Sequence, residues 1–164
     1  MKKNNSNPKL FIELVPSSSW TNNLRKILTS ASWDKLRKNS YKKANYQCEI
    51  CGEVGVFGKG HKVECHEIWS YNDVLNIQKL EGLISLCPIC HRVKHFGLSS
   101  IRGYSNQCKN QLIKVNNWNL NQVEEHISQA FAIHKKRSKK KWTLDLSWLN
   151  DKEIKFKKEY SIKF

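Results

Sequence analysis

Two C-x-x-C pairs, Cys48 with Cys51 in "CEIC" and Cys87 with Cys90 in "CPIC", constrain this chain more than any other feature. Each pair bends the backbone into a knuckle that sets two thiolates on one side. Two knuckles complete a tetrahedral sulfur cage for Zn2+, with metal–sulfur distances of about 2.3 Å. Any fold the chain adopts must therefore bring both ends of the Cys48 to Cys90 interval to one ion. A redox-active C-x-x-C needs a single pair within a thioredoxin-like βαβ pattern, which this sequence does not display. Sulfur at all four positions leaves no place for water or substrate, so the expected role of the cage is structural. Cys65 and Cys108 belong to neither pair and read as small buried hydrophobes.

The interval framed by these pairs has the texture of a small α+β unit. Glycines at 52, 55, 58 and 60 mark turns, "HKVECHEIW" suits a strand, "QKLEGLISL" leads into a second, and "CPICHRVKHFG" reads as a knuckle flowing into a helix that ends near Gly97. Upstream, "LFIELVP" is a short apolar run that reads as a strand or as an extended arm. Ser19 and Ser32 are candidate caps of two helices, the second with Trp33, Leu36 and Ser40 on one stripe. Downstream, "NQCKNQLIKVNNW" and "NLNQVEEHISQAFAIHKKR" have helical spacing, the latter with Val123, Ile127, Ala130 and Phe131 in line and Asn119 or Asn121 as cap. "WTLDLSWL" alternates and is expected to fold back onto the body, while the tail either adds a strand or moves freely. The expected organisation is a flexible start (1–9), an N-terminal helical extension (10–47), a zinc-stabilised core (48–100), a C-terminal helical region (101–150) and a basic tail (151–164).

Charge narrows the partners. The 164 residues carry 29 Lys and Arg against 14 Asp and Glu, a formal +15, and such a field draws polyanions, of which nucleic acid is the commonest in a cell. The run "KKRSKKK" contributes Lys135, Lys136, Arg137, Lys139, Lys140 and Lys141 as candidates to track a nucleic-acid backbone, with a merely solvated charged face as the alternative. The opening "MKKNNSNPKLFIEL" lacks the apolar run of a signal peptide, and no segment has the length of a membrane span. A cytoplasmic, membrane-free setting is the expectation, and a reducing compartment turns six cysteines toward metal rather than disulfides.

A second group of ligands lies beside the first. His91 and His95 are four apart, which on a helix puts both imidazoles on one face, and "ECHEIW" supplies a third, His66, from a preceding strand. Three imidazoles from a strand and a helix hold one divalent ion with open positions, as catalysis requires. A pair of surface histidines next to a zinc finger is the plainer reading of His91 and His95 taken alone. His61, His126 and His134 read as surface or loop residues, and the six Trp as core anchors.

"CEIC", then "VECHEIW", then "LISLCPICHRVKH" resembles an HNH endonuclease of the ββα-metal type, framed by structural zinc, over about Cys48 to Gly97. The resemblance implies a zinc-stabilised ββα-metal core flanked by helices, and metal-dependent hydrolysis of phosphodiester bonds in DNA. It implies structural Zn2+ on Cys48, Cys51, Cys87 and Cys90, and a catalytic divalent ion (Mg2+, Mn2+, Ni2+ or Zn2+) on His91 and His95. Two registrations of the strand are open. In the first, which keeps three imidazoles on the ion, His66 is a ligand and Glu67 takes the place of the general base. In the second, His66 is the base and Cys65 or Glu64 precedes it. Gly82 stands where the family carries an asparagine. Arg92 and Lys94, on the ligand helix, are candidates for phosphate contact. The rival expectations are a catalytically degenerate DNA-binding module of the same fold, and a basic zinc-ribbon protein that binds RNA.

Overall fold

The computed structural model describes residues 8–53 and 63–160, and over them the fold is mixed α+β. His61 and the glycines at 55, 58 and 60 lie outside the described residues. In chain order come α1 (Leu24–Ile27), α2 (Ser30–Lys43), β1 (Glu64–Asn72), β2 (Ile77–Leu86), α3 (Pro88–Lys94), α4 (Phe96–Ile101), α5 (Ser105–Asn116), α6 (Leu120–Arg137) and β3 (Thr143–Asp145). β1 and β2 form an antiparallel hairpin, closed where the Asn72 side chain accepts from the amides of Val74 and Leu75, and β3 adds to β2 in parallel. "WTLDLSWL" thus returns to the body, through β3 and a 3-10 turn at Ser147–Leu149. The tail joins it: Phe156 bridges to Leu28.

The sheet separates two cores. On one face Ile84 and Leu86 of β2 meet Val93, Phe96, Leu112 and Val123 from the helices, together with Leu10 and Ile12. On the other, Leu80 meets Leu24, Ile27, Trp33 and Leu36 of α1 and α2 and Leu146 and Leu149 of the C-terminal segment. A register shift lets one strand serve both: Ile68 pairs with Gly82 and Trp69 with Leu80, leaving Glu81 as an extra residue. The side-chain period of a strand is two, so the extra residue returns Leu80 to the second core after Ile84 and Leu86 have faced the first. Gly82 lies at this bulge within β2. A Cβ there would meet only ordinary contacts, 3.8 Å to Trp148 Nε1 and 4.0 Å to Ile68 Cδ1.

Local chemistry sets the helix ends. Thr29 rather than Ser32 caps α2, its hydroxyl accepting from the Ser32 amide, and Ser32 instead receives the Lys155 amide from the tail. Asn23, not Ser19, caps α1, and Ser19 falls in a 3-10 turn. Asn119 begins α6 with a complete capping box to Gln122, satisfying two otherwise orphaned amides. Val123 is wholly buried on that helix, whereas Phe131, assigned to the same stripe, is 41% exposed. After Cys90 the helix does not run on to Gly97: it breaks at His95 (φ −97°, ψ 41°) and resumes as α4.

"LFIELVP" is an extended arm, not a strand. Leu10 exchanges two bonds with the Asn116 side chain, its amide donating to Oδ1 at 3.0 Å and its carbonyl accepting from Nδ2 at 2.7 Å. The Ile12 amide donates to His126 Nε2 at 3.0 Å, so His126 is an anchor for the arm rather than a surface residue. That bond needs a neutral ring, and burial, with the Lys94 charge, holds the His126 pKa below its ordinary 6.5. The unfolded chain takes up the proton first. Stability is therefore intact above about pH 6.5 and falls as pH drops from there through the folded value. Melting temperatures measured over this range are expected to fall toward acid, with part of that slope removed in His126→Gln.

Candidate metal centres

Cys48, Cys51, Cys87 and Cys90 come together as the spacing predicts, with the Cys51 and Cys87 sulfurs 3.6 Å apart. Two tight turns make the knuckles: the Gly52 amide donates to the Cys48 carbonyl at 2.8 Å, with Gly52 at φ +74°, and the His91 amide donates to the Cys87 carbonyl at 3.0 Å. Pro88 stands at the first position of α3, where its missing N–H costs nothing. Close packing couples the thiols of this cage. Hydrogen bonds from Cys87 and Cys90 hold the Cys48 thiol well below its ordinary value, while Cys48 in turn pushes Cys87 up to about 12 and Cys90 higher still. The donor set fits Zn2+ in a closed structural site. Gln111 Nε2 donates to Cys90 Sγ at 3.2 Å, the outer bond expected of such a sulfur.

Beside this cage, His66 from β1 and His91 and His95 from α3 and its terminal break form a second group. One ligand atom from each lies within 4.8 Å of the others, and the rings meet edge to face at 4.7–5.2 Å. His91 Nε2 and His95 Nε2 are 3.1 Å apart. Burial lowers the His66 pKa; burial, reinforced by the charges of His66 and His91, takes His95 down to about 3. Burial thus favours the neutral forms of His66 and His95, and the three-imidazole donor set can hold a divalent metal ion.

Two carboxylates address the group from outside. Glu64 Oε2 stands 2.5 Å from His91 Nδ1, so that His91 presents Nε2 to the cluster. Glu13, from the arm, reaches His66 Nε2 with Oε2 at 2.8 Å and accepts from Lys94 Nζ with Oε1 at 2.7 Å. Burial alone would raise the Glu13 pKa, but the His66 bond and the Lys94 charge outweigh it, so the carboxyl lies below its ordinary value. Glu13 was not foreseen as a site residue. Its one local signal is an acid inside an apolar run.

Several assignments change with the geometry. Lys94 is 3% exposed, paired to Glu13 and stacked 3.4 Å from the centre of the Phe11 ring, so it is removed from any surface where a phosphate could lie. A buried pair of this kind is about neutral for stability relative to apolar residues, and its presence calls for a positional reason. Glu67 faces the other core: Oε1 accepts from the Leu24 amide at 2.7 Å and Oε2 from Trp69 Nε1 at 3.1 Å. Successive residues of a strand point to opposite faces, so Glu67 and Cys65 lie across the sheet from the imidazoles. Glu67 therefore cannot serve there as general base. The Cys65 thiol is half-buried and pushed up to about 12 by burial, which suits an inert packing residue. Cys108 is wholly buried.

Of the cationic candidates, Arg92 lies half-buried over the Tyr104 ring at 4.2 Å. Arg137 grips Asp73 with Nε and Nη2, and Lys140 donates to the Asp73 carbonyl oxygen, so both are engaged at the hairpin end. Lys135, Lys136, Lys139 and Lys141 are exposed. No helix among the described residues is long and apolar enough to cross a membrane. Comparison of the chain with protein-family models, curated proteins and solved structures gives no match.

Two outcomes follow from this geometry. The purified chain is expected to hold one zinc on its four sulfurs, and a strong chelator should both remove it and unfold the helical face, read as coincident loss of metal and circular dichroism. Glu67→Ala should leave metal affinity at the histidine cluster within about twofold while costing about 2 kcal/mol of stability by denaturant titration, because two buried donors lose their acceptor.

Proposed function

We propose that the protein is a metal-dependent endonuclease of the HNH type that hydrolyses phosphodiester bonds in DNA. The observation that carries this reading is the convergence of His66, His91 and His95, from one strand and one helix, beside the four-sulfur group that fixes the start of that helix. The excess of positive charge supports a polyanionic substrate, with Lys135, Lys136, Lys139 and Lys141 available to a nucleic-acid backbone. Four free thiols kept for zinc suit a reducing compartment such as the cytoplasm.

His91 and His95 would hold the ion through their adjacent Nε2 atoms. When bound, a divalent ion there supplies positive charge against the negative charge that grows on the phosphate and the departing 3′ oxygen. The base role passes from Glu67 to His66. With Nε2 engaged by Glu13, His66 keeps the Nδ1 lone pair to take a proton from the attacking water. The water oxygen bonds to phosphorus, the bond from phosphorus to the 3′ oxygen breaks, and that oxygen is protonated by solvent. A non-catalytic DNA-binding module is favoured by one observation, the turning of Cys65 and Glu67 away from the cluster. Against it stand three clustered imidazoles, two of them braced by carboxylates, for which a pure binder has no use.

Nicking of supercoiled plasmid by metal-stripped protein resupplied with Mg2+, Mn2+, Ni2+ or Zn2+ tests the reading. His95→Ala is expected to lose both the ion and cleavage. His66→Ala should still bind metal at the His91 and His95 pair while its turnover falls by about 10²–10⁴. Absence of cleavage with every metal, in a protein that still shifts DNA in a gel, would select the binding module.

A further inference from the structure

The arm delivers a carboxylate to the imidazole cluster from outside the zinc-framed core. Its course is fixed by α5, α6 and α3: Asn116 holds Leu10 at both amide and carbonyl, His126 Nε2 accepts from the Ile12 amide, and the Lys94 carbonyl accepts from the Glu13 amide at 3.1 Å. The side chain of Glu13 is 18% exposed, and both of its partners, His66 and Lys94, belong to the elements that build the cluster. An apolar residue at position 13 would leave the buried Lys94 ammonium without its carboxylate partner. The carboxylate is there for what it does to its neighbours.

We propose that Glu13 is a positioning residue for His66: its carboxylate accepts the Nε2–H and so holds the imidazole in the tautomer whose Nδ1 carries the lone pair. The functional meaning of this rests on the nuclease reading, in which that lone pair takes the proton of water. Lys94 completes the device. Its ammonium can only donate, so it occupies Glu13 Oε1 and leaves Oε2 to His66. An ionised carboxylate can only accept, so the proton of the neutral ring sits on Nε2. Glu64 does the corresponding service for His91, on the opposite ring nitrogen, Nδ1. The two carboxylates thus give the two imidazoles opposite tautomers.

Glu13→Gln is nearly isosteric and separates positioning from packing. Lys94 still requires an oxygen, so the amide oxygen turns to Nζ and the NH2 faces His66 Nε2. That nitrogen must then accept, and the ring proton moves to Nδ1. The readout is the imidazole 15N NMR spectrum of the full chain with zinc supplied to its sulfur group, at slightly alkaline pH where the rings are neutral. The expected result is Nε2–H for His66 in the unmodified chain and Nδ1–H in Glu13→Gln. An Nδ1–H ring in the unmodified chain overturns the proposal and needs no variant to fold; an unchanged tautomer in a folded Glu13→Gln overturns it too. In the cleavage assay, kcat should fall by about 10³–10⁴, with KM and the half-saturating metal concentration moving less than about threefold. A change in KM alone would overturn the proposal. A tautomer switch in a chain that cleaves no DNA would support the positioning and refute the nuclease reading.

Discussion

Four sulfurs hold the molecule to its purpose. They join the turn that follows α2 to the first turn of α3, segments otherwise separated by the whole hairpin, and so decide where α3 begins. His91 is the residue after the last sulfur ligand, and one helical turn carries His95 to the same side. A structural zinc held by four such sulfurs would contribute about 10–16 kcal/mol to the folded state, comparable with or above the net stability of a typical domain, about 5–15 kcal/mol. With such an ion bound, the helical face of the sheet would depend on it far more than on any single apolar contact.

The second constraint is the two-residue period of β1. One face presents Glu64 and His66 toward α3, and the other presents Cys65, Glu67 and Trp69 toward α1 and the C-terminal segment. Neighbours in sequence therefore do unrelated work. His66 belongs to the cluster, while Glu67 receives the first amide of α1 and the indole of Trp69, joining the N-terminal helices to the sheet. The extra residue at Glu81 then allows β2 to change faces partway along, so that a small hairpin can wall two separate cores.

What could be read from the sequence was what local spacing encodes. The sulfur group, the two strands, the return of "WTLDLSWL", the stripe on α2 and the cap at Asn119 all follow from patterns spanning fewer than about ten residues. The three-histidine group was legible as well, because a helix spacing and a strand end fixed its members. Glu67 was misassigned because matching a family's adjacent pair of residues set aside the alternation of the strand, which already placed residues 66 and 67 on opposite faces. Lys94 reads from sequence as one more exposed lysine. Only the arm, folding over from residues 10–14, makes it a buried counter-ion. Glu13 was illegible for the same reason: its partner lies 53 residues away, and nothing between them announces the meeting. The break at His95 has no proline or glycine at its position to forecast it.

The arm also imposes an order in time. Leu10 reaches Asn116 across 106 residues of sequence, and Ile12 reaches His126 across 114. The four clustered cysteines and all three imidazoles precede α5 and α6 in the chain. Loop closure over such distances follows only when both helices have docked on the sheet. The hold of Asn116 and His126 on the arm thus waits for α5 and α6, and a chain lacking those helices would lose that part of the clamp.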